Sequence, residues 1–232
     1  MEPKKDLGLL GNDFWYKTLP VLSLGMVIWA VATLMFSGIL GTTILTFSMG
    51  IIIILIISYF LLWILTILLA FKKHNILSML FFICASLNSG ILSSSLLIWA
   101  STFFILEIVV GLFFIAFFVG LIVTISLCVL GIFLRDKISK NWIYPLILFG
   151  IIFITLEIFL IILFGSNPIL LITSILVLIW FFGVIIWDGS QLPQTVNEGC
   201  WMLAVIDIFL DMINVIIRIF VIIVEMLSKA SD

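Results

Sequence analysis

The sequence predicts an all-α integral membrane protein whose chain crosses the bilayer seven times. Three observations predict it. Hydrophobic residues make up 65% of the 232 residues and charged residues only 9%, with a mean hydropathy of +1.50. A soluble domain carries about 25% charged residues because its surface faces water. Apolar runs of bilayer length recur seven times between short polar separators. Eight of the ten Lys and Arg residues fall in the N-terminal segment and in alternate separators, hence on one side of a membrane.

The elements follow in order. Residues 1–18, mixed in sign, read as a cytoplasmic N-terminal segment. The apolar run behind them is too long for a signal-peptide core and has no clear small-residue cleavage site, so it reads as a retained first membrane helix. A bilayer core of about 30 Å takes about 20 helical residues. The spans are then Leu19–Leu40, Thr43–Phe71, Ile76–Ala100, Thr102–Leu134, Trp142–Phe164, Pro168–Trp187 and Gly199–Leu227. They form one membrane domain over residues 19–228, with a short tail at 229–232. The separators are GTT, KKHN, ST, RDKISKN, GSNP and DGSQLPQTVNE. The fourth run is too long for one perpendicular helix, so its start belongs near residues 100–110, with Glu107 at the interface. Lys4, Lys5, Lys17, Lys72, Lys73, Arg135, Lys137 and Lys140 all share one side. The positive-inside rule places that side, and the N-terminus, in the cytoplasm and the C-terminus opposite.

The last span is unlike the others. AVIDIFLDMINVIIRIF holds Asp207, Asp211, Asn214 and Arg218, and Glu225 follows. At 3.6 residues per turn these positions fall within about 60° of one helix face. An ionisable group at bilayer depth costs several kcal/mol unless it faces protein or water. The stripe therefore predicts that the last helix is the hub of the bundle. An internal Asp211–Arg218 salt bridge is the plainer reading. Asp207 and Asp211, at i and i+4, would repel if both were ionised, and one guanidinium neutralises only one of them. Asp188, in IIWDGSQL, ends span six, where a solvated helix end would by itself explain it. Glu157 is a lone carboxylate in span five and receives no role. Ser86, Ser89, Gly90 and Ser93 form a small-residue face on span three, which reads as close helix packing.

Other chemistry is poorly supplied. The lone histidine, His74, lies in a basic loop, so no span offers a Ser–His dyad or a His-based metal site. Every lysine lies in a loop or terminus, which removes a retinal Schiff base. The scattered Cys84, Cys128 and Cys200 read as small core residues. Without a nucleotide-binding glycine loop, the chain is not expected to be an enzyme, and nucleic acid is not an expected partner. Pro193-Gln194 matches a dipeptide of sugar transporters but lies in a separator with no repeat, and reads as chance.

Two segments carry a resemblance. Asp188 with Gln191, and Leu210-Asp211-Met212-Ile213-Asn214, resemble the pattern that closes the sixth helix and centres the seventh in the transmembrane Bax inhibitor motif family. FWYKTLPVL, Ser89-Gly90 and Arg135-Asp-Lys-Ile-Ser-Lys are similar to its first helix entry, third helix and fourth loop. The resemblance spans most of the chain and is specific over about its last 45 residues. It implies two three-helix layers wrapped around a central C-terminal helix, and a pH-sensitive calcium leak channel that in eukaryotes protects against cell death. It further implies that Asp188 and Asp211 are the buried pair that senses pH, gates the path and transiently meets Ca²⁺. A basic latch could come only from Lys72 or Lys73. Asp207 stands where the pattern has a small or hydroxyl residue, and Arg218 lies outside it.

Two carboxylates brought together away from water share a proton, because the second ionisation is opposed by the first charge and by desolvation. A change in proton occupancy then biases a closed–open equilibrium. Carboxylate oxygens also suit passing Ca²⁺. The expected partners are the lipid bilayer, permeant Ca²⁺, regulatory protons and membrane proteins, with no resident cofactor. A non-conducting regulator acting through helix contacts with a partner channel or cell-death protein is the first alternative, and a proton-coupled transporter the second. The membrane expected is the plasma membrane in a prokaryote, and the endoplasmic reticulum or Golgi in a eukaryotic or viral setting.

Overall fold

Among the described residues seven α-helices follow in order: α1 (Leu19–Leu40), α2 (Met49–Phe71), α3 (Asn75–Ala100), α4 (Leu106–Leu134), α5 (Ile143–Phe164), α6 (Asn167–Asn197) and α7 (Trp201–Ala230). The structure, a computed structural model, describes residues 11–40, 49–164 and 167–230, and their side chains except at 39–40, 49–52, 140, 153–154 and 156–170. The expected start of span two at Thr43, and the side chain of Glu157, lie outside the described residues. No strand occurs among the described residues.

Five segments are long and apolar enough to cross a membrane: Phe14–Gly38, Ile53–Phe71, Asn75–Ala100, Leu106–Leu134 and Leu171–Asn197. The chain is a multi-pass, all-helical membrane protein. α5 is apolar over Ile143–Ile152 as well. α7 differs by its charge, with Asp207, Asp211, Arg218, Glu225 and Lys229 along one helix. Glu107 lies exposed in the first turn of α4, after a turn over residues 101–105, as the length of the fourth run requires.

The packing explains how a charged helix is accommodated. α1 and α2 pack on α3, α4 and α5 pack on α6, and α7 touches α1, α2, α3, α4 and α6. Half of α7 is buried, including Phe209, Val215, Ile216 and Phe220. Lipid tails are as apolar as leucine, so the helices associate through close contact and hydrogen bonds rather than hydrophobic transfer. Phe209 of α7 meets Phe82 of α3 and Trp63 of α2, with ring centroids 4.9 and 5.7 Å apart. Trp29 of α1 donates from Nε1 to Ser93 Oγ of α3 at 3.1 Å. Asn88 Nδ2 donates to Ser58 Oγ at 2.8 Å, and Ser78 Oγ to the Thr66 carbonyl at 2.9 Å, which tie α3 to α2. Gly90, on the small-residue face of α3, sits directly against the Trp29 carbonyl and Ala32. Trp180 Nε1 reaches the Leu146 carbonyl at 2.8 Å and holds α5 to α6.

The boundary that differs most from the sequence reading is the end of span six. The sixth helix does not stop at Trp187 but continues through Pro193 to Asn197. DGS reads as a turn, yet a Cβ on Gly189 would stand 2.5 Å from the Cys128 carbonyl of α4. That glycine serves a helix crossing rather than a chain reversal. The real stop is Gly199, at φ +80°, with Gly199 N–H on the Val196 carbonyl at 3.0 Å and Cys200 N–H on that of Thr195 at 3.1 Å. This paired closure by a left-handed residue is a common helix ending. α2 ends in the same way on Lys73, at φ 60°, although the residue is not glycine.

The two endings meet. Lys73 Nζ donates to the Glu198 carbonyl at 2.9 Å, and Asn75 Nδ2 to that of Gly199 at 3.4 Å. Gly11 lies beside Asn197, and Arg135 and Ile138 share a cavity with the end of α6. The N-terminal entry, the α2–α3 turn and the α4–α5 link therefore gather around the α6–α7 turn. The basic separators lie at one end of the bundle.

Candidate functional site

α6 and α7 run antiparallel and are joined by a turn of three residues. Asp188 lies nine positions before Asn197, the last of α6, and Asp211 ten positions after Trp201, the first of α7. At about 1.5 Å per residue both carboxyls lie about 14–15 Å from the helix ends, roughly half a bilayer core deep. They lie at equal depth on adjacent helices, and a side-chain hydrogen bond joins them. Asp188 is thus a mid-helix residue and not a solvated helix end.

Asp211 is only 4% exposed, and its Oδ2 is a buried oxygen that no N–H or hydroxyl reaches. Two carboxyl oxygens bond to each other only when one holds a proton. The groups whose charge reaches Asp211 are Asp188 and Asp207. Arg218, which a plain internal salt bridge would require, is not among them. Arg218, half-buried, has an interaction of its own, and Asn214 donates back to the Leu210 carbonyl at 2.8 Å. Glu225, 2% exposed, closes the stripe with Lys229 at 3.8 Å.

Asp207 differs from the pair. It opens to the surface, although protein surrounds it and Asp188 lies within charge range. The implied latch also has a different target. Lys73 binds the backbone of the α6–α7 turn and not a carboxyl of the pair, and Lys72 is exposed.

α4 contributes a residue that the sequence left as packing. Cys128, buried, has its thiol within charge range of both Asp188 and Asp211. Its signal was present: Ala116, Gly120, Thr124, Cys128 and Gly131 make a buried small-residue face on α4. Such faces let backbones approach closely. A Cβ on Gly131 would strike the Ile186 carbonyl of α6, which matches the close contact at Gly189 on the opposite side of the crossing.

Beyond the pair, a cavity of about 560 Å³ opens at the basic end, lined by Arg135, Ser190, Gln191, Gln194 and Asn197 among others. Gln191 stands one turn from Asp188 on the same helix. No group of three or more His, Cys, Asp or Glu side chains that could hold a metal ion occurs among the described residues. No known family model and no curated protein matches the chain.

Proposed function

We propose that this protein is a pH-sensitive calcium leak channel of the Bax inhibitor type, spanning the membrane seven times with its N-terminus in the cytoplasm. The observation that carries the reading is the Asp188–Asp211 pair, held at half depth between helices that bring acids together. The two segments that resemble the family are the ones that form it. The basic separators at one end, around the α6–α7 turn, support an odd number of crossings with that end inside.

The gate works by repulsion. With one proton between them, Asp188 and Asp211 are bonded and tie α6 to α7. Loss of that proton leaves two negative charges in contact in a low dielectric, which drives the helices apart. The pair therefore closes in acid and opens as pH rises, and the freed oxygens meet a passing Ca²⁺. Lys73 holds the α6–α7 turn, so motion is confined to the membrane-embedded lengths of the two helices.

The test is Ca²⁺ entry into dye-loaded liposomes containing purified protein, from mildly acid to mildly alkaline conditions, beside Asp211→Asn and Asp188→Asn. The expected result is a leak that rises with pH in the native protein and loses its pH dependence in both variants. A leak whose pH profile survives both substitutions overturns the gate. No leak from demonstrably folded protein overturns the channel and favours a regulator acting through a partner.

A further inference from the structure

We infer that the cavity at the basic end is a lipid site, and that its occupant is a phospholipid whose headgroup carries a primary ammonium beside the phosphate, as in phosphatidylethanolamine. The inference stands apart from the proposed conducting role, because it rests on a different set of residues.

The cavity, of about 560 Å³, lies between the end of α4 and the last two turns of α6. That volume is within the range of small-ligand sites. Two opposite charges line it, Arg135 just past α4 and Glu198 just past α6. They do not pair with each other. Arg135 Nε lies 3.6 Å from Asp136 Oδ1, and the Glu198 carboxylate accepts from Gln194 Nε2 at 2.7 Å. A contact between exposed charges at that distance is worth little, and it engages one of five guanidinium N–H groups. Arg135 therefore keeps the planar fork that matches a phosphate with two parallel bonds. Glu198 is fixed in place, since Lys73 Nζ also holds its backbone carbonyl at 2.9 Å. A cation and an anion that line one cavity without touching complement a ligand that carries both signs.

The groups between them select the kind of cation. Ser190, Gln191, Gln194 and Asn197 fall within about 120° of one face of α6. Gln191 Nε2 donates to Ser190 Oγ at 3.0 Å. A primary amide has two N–H donors and a carbonyl acceptor, so the bonds made by Gln191 and Gln194 leave both carbonyl oxygens as acceptors. An ammonium gives three hydrogen bonds and accepts none, which suits a wall of amide carbonyls beside a carboxylate. A trimethylammonium has no N–H to give.

Depth points to a lipid. Asn197 stands about 14 Å along α6 from Asp188, at the edge of the bilayer core when the carboxyl pair is at half depth. Arg135, Asn197 and Glu198 thus lie at headgroup level. Gln194 comes next, and Gln191 and Ser190 lie deepest, about 10 Å of helix below the rim. Ile138 and Pro193 add apolar lining. A phospholipid presents its groups to the protein in the same order from water inward, with charges first, ester carbonyls next and chains last. Ester carbonyls accept the N–H bonds that the deeper amides have to give. A soluble zwitterion would use the rim alone.

The experiment places the purified full chain in nanodiscs of phosphatidylethanolamine and phosphatidylcholine in equal parts, with matched acyl chains. Transfer to detergent and native mass spectrometry then show which lipid stays bound. The native protein is expected to retain phosphatidylethanolamine in roughly ten-fold preference, the factor that a hydrogen bond to a charged group supplies. Glu198→Gln keeps the shape and is expected to bring the two lipids to equal retention. Arg135→Gln is expected to lower the retention of both, since the phosphate is common to them. Both positions are exposed, so the variants fold. Equal retention of the two lipids by the native protein overturns the site. A preference that survives Glu198→Gln overturns the placement of the ammonium. Free O-phosphoethanolamine that raises the unfolding temperature of a protein showing no lipid preference overturns the lipid as occupant and assigns the cavity to a soluble zwitterion.

Discussion

Phe209 and Asp211 are two residues apart on α7, so they leave the helix about 200° apart at nearly one depth. On one face Phe209 is fully buried against Phe82 and Trp63, where contact is shape and nothing titrates. On the other, Asp211 meets Asp188, and the contact depends on a proton. One face of the central helix is thus held permanently and the other conditionally. The proposed gate needs both, because a helix released on all sides would leave the bundle rather than open a path through it.

The comparison is broken most severely from the ring face. In the membrane the phenyl group of an unfolded chain stays in lipid, so Phe209→Ala loses packing rather than hydrophobic transfer. A void of roughly 100 Å³ at about 24 cal/mol per Å³ corresponds to about 2 kcal/mol. The expected result is a clear fall in resistance to unfolding in a detergent titration, with the pH at which flux changes left in place. If Phe209→Ala displaced the pH response as Asp211→Asn does, the two faces would not be independent.

A second substitution acts on the conditional face without touching a charge. In Gly189→Ala the new methyl would lie 2.5 Å from the Cys128 carbonyl, a backbone atom that cannot turn aside. α6 has to move off α4, at a cost on the order of 1–2 kcal/mol for overpacking. Because Asp188 is the preceding residue, the pH response is expected to shift as well. Gly183→Ala is the control, since its methyl meets only the end of the Leu146 side chain, at 3.1 Å. Equal pH profiles for the two variants would show that the pair tolerates movement of its helix.

Much of this was legible because a membrane leaves few alternatives. Five of the seven helix ends at Leu40, Phe71, Ala100, Leu134 and Phe164 agree with the apolar runs, since each lies where polar or turn residues begin. The stripe on α7 announced a central helix for the same reason, because lipid cannot solvate Asp207 and Asp211 together. α6 is the element that a local reading gets wrong. Gly189, Ser190 and Pro193 are breakers in a local reading, but Gly189 and Ser190 lie buried within a helix. A glycine chosen for contact looks the same in sequence as a glycine chosen for a turn. Cys128 was passed over because its importance comes from which helix faces it, and pairing between helices is not encoded along one chain. The depth match of Asp188 and Asp211 was hidden by the same misplaced boundary, since it appears only when α6 is counted back from Gly199.

The smallest effect tests whether hydrogen bonds add to the permanent face. Trp29 Nε1 and Ser93 Oγ join α1 to α3 at 3.1 Å, both groups buried in the layer that holds the ring side of α7. In a bilayer such a bond could be strong, because an unpaired donor has no water to turn to. Measured interhelical bonds in membranes nevertheless average about 0.6 kcal/mol, since the separated helices also find partners. A double-mutant cycle of Trp29→Phe and Ser93→Ala is therefore expected to give a coupling of that size. The pH profile should stay fixed, because neither residue lies near the carboxyl pair. A coupling several times larger would mean that the α1–α3 layer is held by specific polar contacts as firmly as by ring packing, and that shape alone does not account for the permanence of that face.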